Sequence, residues 1–189
     1  MYSEKVKSFG STRKMVVTGM LAAVSILLGS TPLGFIPIGP TKATIMHLPV
    51  IIGAIMEGPL VGVGIGLIFG VFSMIQAFMT PTITSFVFLN PLVAVLPRLL
   101  IGLTAYYTYK LTKSSAASAV VGTLTNTAGV LGMIYLLYGA QFAEALGQEK
   151  EMAGKLIIGI ATTNGIPEII IAVLVVSAVI TALKRIKKE

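Results

Sequence analysis

The chain has 189 residues and a net charge of +7, and 55% of its residues are hydrophobic whereas only 11% are charged. Soluble domains carry about 25% charged residues, and a domain of this size cannot hide so much apolar surface from water. The composition therefore excludes a soluble globular protein, and the absence of Cys and Asp excludes disulfides, thiolate metal sites and aspartyl-phosphate chemistry.

Charge-free apolar stretches divide residues 1–189 into six predicted transmembrane helices of a single all-α membrane domain. A crossing needs about 20 apolar residues, so the stretch 58–96 is too long for one helix, and Thr80-Pro81-Thr82 is predicted to break it. We expect a compact bundle in which the short second helix is tilted or spans only partly. The predicted helices cover about 13–30, 44–57, 59–79, 86–111, 115–138 and 154–184.

The first predicted helix carries small residues on one side. Gly19 and Ala23 are four residues apart and Ala22 is beside them, a spacing found where membrane helices pack closely.

The basic segment before this helix also resembles the start of a signal peptide. Because five further spans follow, we expect that the segment is not cleaved.

Two short segments follow the first helix. The stretch from Thr31 to Lys42 is rich in Pro and Gly and partly apolar, which indicates a semi-rigid external loop that can cover the outer mouth of the bundle. His47, the single histidine, has no other metal-ligating side chains nearby in sequence, so an interfacial hydrogen bond is favoured over a metal site.

The third predicted helix has a glycine at every fourth position, at Gly58, Gly62, Gly66 and Gly70. Such a stripe lets a neighbouring backbone approach closely. The favoured interpretation is internal packing against the second or first helix, and the alternative is a subunit interface.

The basic residues predict the orientation, because cytoplasmic loops carry the excess of Lys and Arg. With both termini inside, the outer loops hold only Lys42, Lys150 and Lys155. The same pattern favours a membrane protein over a nucleic-acid-binding protein, since the basic residues lie at the ends of apolar stretches. The residues on the predicted inner side are Lys5, Lys7, Arg13, Lys14, Lys110, Lys113, Lys184, Arg185, Lys187 and Lys188.

Ionisable groups at membrane depth are costly and mark functional sites by default. Arg98 and Glu168 lie midway along the predicted helices 86–111 and 154–184, and Asn126 and Asn164 lie at comparable depth. One interpretation is an Arg98–Glu168 ion pair that only holds two helices together. The favoured one is a polar pocket for a small solute, because a simple ion pair needs no amides. The candidate ligand-binding residues are Arg98, Asn126, Asn164, Glu168, Asn90, Gln76 and His47.

Enzyme motifs are missing from the sequence. There is no phosphate-binding G-x-x-x-x-G-K-[ST] loop, no H-E-x-x-H and no G-x-S-x-G. We therefore expect no enzymatic activity, no bound cofactor or metal, and, for an energised transporter, ATPase activity supplied by a partner.

The sequence resembles the substrate-binding S components of energy-coupling factor (ECF) vitamin transporters. The resemblance covers nearly the whole chain and is carried by the segments 18–23, 47–54 and 57–59, by the glycine-rich third helix, and by Asn126-Thr127 and the segment 164–168. It implies a multi-pass vitamin-binding protein of a bacterial or archaeal cell membrane. It also implies a transmembrane coupling subunit and two ATPase subunits as partners.

The resemblance further implies roles for particular residues. The family is expected to dock through an Ala-x-x-x-Ala pair on the first helix, and here Gly19 and Ala23 occupy those positions. The family's vitamin pocket involves the last three helices and the first external loop, where the polar cluster lies.

Pantothenate is the favoured vitamin, because the chain most resembles the pantothenate-type group of the family, an arginine suits a carboxylate, and amides suit hydroxyl and amide groups. Riboflavin, hydroxymethylpyrimidine, folate and cobalamin stay open. The alternatives from other classes are a stand-alone secondary transporter or channel, in which Glu168 would carry a proton, and a purely structural membrane subunit.

Overall fold

The computed structural model describes residues 12–38 and 41–186, which form a helical bundle with one short hairpin. The terminal lysines used for the orientation (Lys5, Lys7, Lys187 and Lys188) and the Gly39-Pro40 pair of the predicted loop lie outside these residues. The elements in chain order are α1 (Thr12–Ser30), β1 (Phe35–Ile38), β2 (Thr41–Thr44), α2 (Leu48–Glu57), α3 (Pro59–Met79), α4 (Pro91–Ala94), α5 (Leu96–Thr112), α6 (Ser115–Ala145) and α7 (Ala153–Ile186).

The helical prediction is confirmed for the body of the chain, and the first loop is where the structure adds something new. Its strands β1 and β2 pair antiparallel, with Phe35 opposite Thr44 and Ile38 opposite Thr41. Because β2 extends to Thr44, α2 begins at Leu48 instead of near residue 44. A proline, which is tolerated in the first turn of a helix, follows at Pro49.

The predicted helix 86–111 is wrong as a single element. Residues Ser85–Leu89 form a 3-10 helix, and the chain then enters α4 and α5, which are separated at Val95. Asn90 caps α4, since its side-chain oxygen accepts the backbone N–H of Leu92 at 2.9 Å. Pro97 has no N–H to continue the helical ladder, which explains a break beside it.

The helix α6 runs seven residues further than the predicted end at residue 138. It continues to Ala145 because Phe142 and Ala143 are buried against neighbouring elements. The loop between α6 and α7 is correspondingly short and contains the 3-10 helix Lys150–Met152.

The core has two apolar clusters. The central cluster surrounds α2, whose Val50, Ile51 and Ala54 are fully buried among residues of α1, α3, α5, α6 and α7. A helix that is apolar on all sides belongs inside a bundle. The second cluster, called the Phe142 cluster, joins Val87 and Val93 to Val130, Leu131, Ile134 and Phe142.

The glycine stripe of α3 packs inside the bundle, as expected, but mainly against a neighbour other than the expected second or first helix. A Cβ at Gly62 would lie 2.6 Å from the Ala54 side chain and 2.9 Å from the Gly102 backbone, and one at Gly70 would lie 2.8 Å from the Ala94 carbonyl oxygen. The main partner is therefore the α4–α5 pair, with α2 contributing only at Gly62. Gly58 is not part of this contact, because it forms the turn before α3 at a φ of 107° and a Cβ there would touch nothing.

Within residues 12–38 and 41–186, five helical segments are long and apolar enough to cross a membrane: α1, α3, α4 with α5, α6, and α7 with its preceding turn. The helix α2 is shorter, with ten residues. One end of the bundle is joined by Arg13 and Glu57 (2.6 Å), and the other by Gln76, whose Nε2 donates to the Gly29 carbonyl at 2.7 Å.

Adding a methyl group to the glycine stripe should destabilise the bundle. In Gly66→Ala the new Cβ would overlap the backbone carbonyl of Arg98, so we expect a loss of about 1–3 kcal/mol of unfolding free energy. Thermal unfolding of the purified protein in detergent measures the effect. Gly132→Ala is the matched control, since a Cβ there meets nothing within 4 Å, and it should leave the melting temperature unchanged or slightly raised. Equal melting temperatures for both variants would contradict close packing at Gly66.

Candidate functional site

A cavity of about 600 Å³ lies between the two apolar clusters and is lined by members of both, such as Phe69 and Phe142. This volume is typical of small-molecule sites, which are mostly apolar with a few polar groups. The charged and amide side chains in the lining are Gln76, Arg98, Asn126, Asn164 and Glu168, and the hydroxyl-bearing ones are Thr44, Ser73, Thr80, Thr82, Thr84, Ser85 and Thr127.

Arg98 of α5 is held by a backbone carbonyl of the preceding helix, α4, and by two aromatic rings. Pro97 leaves the Val93 carbonyl without the amide that a continuous helix would supply, and Nη1 of Arg98 donates to that carbonyl at 2.8 Å. The guanidinium carbon lies 5.3 Å from the ring centre of Phe69 and 5.6 Å from that of Phe88, within cation–π range. The side chain is buried, at 7% exposure, and its Nε has no hydrogen-bond partner.

Glu168 connects α7 to the hairpin and to α6. Its Oε1 accepts hydrogen bonds from the Thr44 backbone N–H at 2.9 Å and from the Thr44 hydroxyl at 2.7 Å. Its Oε2 accepts from the Thr127 hydroxyl at 3.1 Å. These donors satisfy a carboxylate that is only 5% exposed.

Arg98 and Glu168 therefore line the same cavity without forming an ion pair with each other. In the described part of the chain the ion pairs are Arg13–Glu57 and Lys150–Glu144. Each of the two buried charges is held by separate neighbours. The interpretation of a direct pair that holds two helices together does not match this arrangement.

The three amides of the lining differ in how much hydrogen-bonding capacity they have left. The Oδ1 of Asn126 is buried without a partner. Asn164 has a long contact, 3.5 Å, with the Thr163 hydroxyl, and Gln76 is engaged by the Gly29 carbonyl. Asn126 is thus the amide of the lining whose acceptor is both buried and unpartnered, whereas buried polar atoms are normally paired.

Two of the predicted candidates lie outside the lining. His47 is fully buried behind it, and its Nε2 is 2.9 Å from the Thr123 hydroxyl. Asn90 caps α4 and donates its Nδ2 to the Tyr138 hydroxyl at 3.1 Å. Among the described residues no group of three or more His, Cys, Asp or Glu side chains could hold a metal ion.

Four residues whose side chains contact the charged groups were not among the candidates. Thr127 follows Asn126 directly and shares a helical face with Thr123, so its position carried some signal. Phe69 and Phe88 are apolar residues in apolar segments, and nothing in the sequence marks them. Thr44 meets Glu168 only because the hairpin brings β2 over α7.

On α1, the structure separates the three small residues that the sequence grouped together. Gly19 and Ala23 lie on the exposed side of the helix, and a Cβ at Gly19 would meet nothing within 4 Å. Ala22 is buried in the central cluster, at 3% exposure, so its assignment to a partner surface is wrong. One turn of helix spans about 3.6 residues, which places Ala22 and Ala23 on different sides.

Comparisons with known proteins give one family. Residues 13–180 match the model of the ECF transporter substrate-specific component. The chain is 34% identical over 167 residues to the pantothenic acid transporter PanT of Lactococcus lactis subsp. cremoris, covering 79% of this chain and 82% of the relative. It is 30% identical over 188 residues to the pantothenate transporter PanT of Leuconostoc mesenteroides, covering 91% and 92%.

The link between Glu168 and the hairpin can be tested by hydrogen exchange. Glu168→Leu removes the acceptor of the Thr44 N–H, so we expect exchange of that amide to rise by at least about tenfold, whereas Glu168→Gln retains an oxygen and most of the protection. Mass spectrometry of peptides that contain Thr44 measures the rates. Thr127→Val, which removes the bond to the other carboxylate oxygen, should leave Thr44 unchanged. Unaltered exchange in the Leu variant would show that Glu168 does not hold the hairpin.

Proposed function

This chain belongs to the substrate-specific components of ECF transporters, and on that premise we propose that it binds pantothenate within the membrane and presents it to an ATP-driven import complex. The observation that carries the choice of substrate is a buried arginine with an unpartnered Nε in a cavity that also contains a carboxylate and amides. Pantothenate combines a carboxylate, an amide and hydroxyl groups, so each of these side chains has a matching ligand group.

Arg98 is the proposed contact for the ligand carboxylate. Its Nη1 already donates to the Val93 carbonyl, which leaves the Nε–Nη2 edge of the guanidinium for a two-point contact with a carboxylate. The apolar rings around the group exclude water and so strengthen that contact.

The remaining polar residues are proposed to bind the other parts of the ligand. Asn126 offers a free acceptor to an amide or hydroxyl proton, and Asn164 and Gln76 supply further amide groups. Glu168 can accept hydrogen bonds from hydroxyl groups of the ligand. It also repels a second anionic group, which favours binding of the ligand's carboxylate end at Arg98. His47 and Asn90 are proposed to support the site from outside the lining, through Thr123 and Tyr138.

We propose six crossings with both termini in the cytoplasm of a bacterial cell. The six are the five long segments and the short α2, which the central cluster surrounds. Support comes from the described basic residues at one end of the bundle, which include Arg13, Lys14, Lys110 and Lys184. The hairpin and the cavity then lie toward the outer side.

The proposed partners are a transmembrane coupling subunit and two ATPase subunits, which would hydrolyse the ATP. The exposed Gly19–Ala23 side of α1 is the proposed contact with the coupling subunit, since small residues permit close helix approach. Large apolar side chains surround these positions, for example Met15, Met20 and Leu27.

The role of Arg98 is tested by titrating the purified chain with pantothenate. Arg98→Ala should weaken binding at least about tenfold, the equivalent of one hydrogen bond to a charged group, and Arg98→Lys should restore it only partly because Lys lacks the planar edge. Arg98→Met with Glu168→Leu should not recover binding, because the two charges do not pair with each other. Normal pantothenate affinity in the double variant would remove both residues from the site, and preferential binding of riboflavin or folate by the wild type would refute pantothenate as the substrate.

The docking surface is tested by separating binding from transport. Gly19→Leu together with Ala23→Leu should abolish pantothenate uptake by the reconstituted complex while the isolated chain binds pantothenate as before, because neither residue touches the cavity. Gly159→Leu is the matched control: this glycine of α7 is also exposed with nothing within 4 Å, and uptake should persist. Uptake that survives both changes on α1 would place the coupling contact elsewhere.

A further inference from the structure

The Val93 carbonyl can accept a hydrogen bond from the Arg98 side chain because the residue before Arg98 is a proline. In a continuous α-helix the N–H of residue 97 would donate to the carbonyl of residue 93. Pro97 has no N–H, and Nη1 of Arg98 takes that place at 2.8 Å from the Val93 oxygen. A side chain thus completes a helical ladder that the proline leaves open.

This arrangement fixes which edge of the guanidinium stays available. With Nη1 engaged by Val93 and the ring centres of Phe69 and Phe88 at 5.3 and 5.6 Å, the plane of the group is restrained. Nε is left without a partner, and the Nε–Nη2 edge has the geometry that carboxylates prefer. A freely rotating arginine would have to lose side-chain entropy when it binds a ligand, and a held one loses less.

The backbone around Pro97 is held just as firmly. A Cβ at Gly70 would lie 2.8 Å from both the Ala94 carbonyl and the Val95 Cα, and a Cβ at Gly129 of α6 would lie 2.9 Å from the Pro97 ring. Because α3 and α6 pack directly on the break, the break keeps a defined position relative to the cavity.

We propose that Pro97 is a positioning residue for carboxylate recognition: by freeing the Val93 carbonyl it fixes Arg98 between Phe69 and Phe88 with one guanidinium edge open to the ligand. The inference rests on the proposed function, because it presumes a ligand with a carboxylate. It goes beyond that function by assigning the selectivity for the carboxylate to a residue that need not touch the ligand.

The test compares pantothenate with pantothenol, in which a hydroxymethyl group replaces the carboxylate. We expect Pro97→Ala to weaken binding of pantothenate about three- to tenfold and to leave pantothenol binding nearly unchanged, because the new N–H competes with Arg98 for the Val93 carbonyl. Pro167→Ala is the matched control. Pro167 also lies inside a helix near the cavity, beside Glu168, and its replacement should not change the ratio of the affinities for pantothenate and pantothenol.

A double-mutant cycle checks that Pro97 acts through Arg98. In an Arg98→Gln background, Pro97→Ala should have no further effect on pantothenate affinity. Pro97→Leu supplies the same N–H if the Ala variant does not fold, and thermal unfolding establishes that each protein is native.

The outcomes separate the two proposals. A wild-type chain that does not bind pantothenate refutes the proposed function and this inference with it. If the wild type binds pantothenate, four results would overturn the positioning role alone. These are equal losses of affinity for both ligands in Pro97→Ala, no loss of affinity for either ligand, additive effects in the double-mutant cycle, and failure of both Pro97 variants to fold.

Discussion

The position of Arg98 at the cavity follows from the free-energy cost of leaving a backbone carbonyl without a hydrogen bond inside an apolar bundle. Without water, each unpaired polar group costs several kcal/mol, so a proline in a membrane helix needs a substitute donor. At Pro97 the donor is the Arg98 side chain, which reaches back to Val93. The same bond satisfies part of a buried guanidinium. One interaction therefore closes the helix, brings a positive charge to the cavity and fixes its direction.

Close helix packing fixes the position of the hydrogen bond between Arg98 and Val93. The glycines of α3 let its backbone lie against the segment from Ala94 to Arg98, and Phe69, on the same helix, reaches the guanidinium. The central cluster around α2 supports both helices from the other side. A larger residue in the stripe would push the break away from α3, so helix packing and the position of Arg98 depend on the same contact.

Glu168, the negatively charged residue of the cavity, connects its helix to the hairpin. Glu168 holds the last residue of β2 through two hydrogen bonds and reaches Thr127 of α6 through a third. The wall of the cavity on this side is thereby tied to the hairpin, whereas the Arg98 side is formed by helices alone. A ligand that spans the cavity would meet a rigid positive end and an end whose position depends on the hairpin.

The sequence by itself determined the membrane class, the approximate extent of most helices, the internal use of the α3 glycines and five of the seven candidate polar residues that line the cavity. These follow from composition and from periods of about 3.6 residues, which are local properties. Tertiary structure alone decided that Arg98 and Glu168 do not pair, that Ala22 faces the core, that α3 packs on the α4–α5 break, and that Thr44 reaches Glu168. The physical reason is that these contacts join residues up to 124 positions apart, and their partners are set by which helices adjoin, which no single helix specifies.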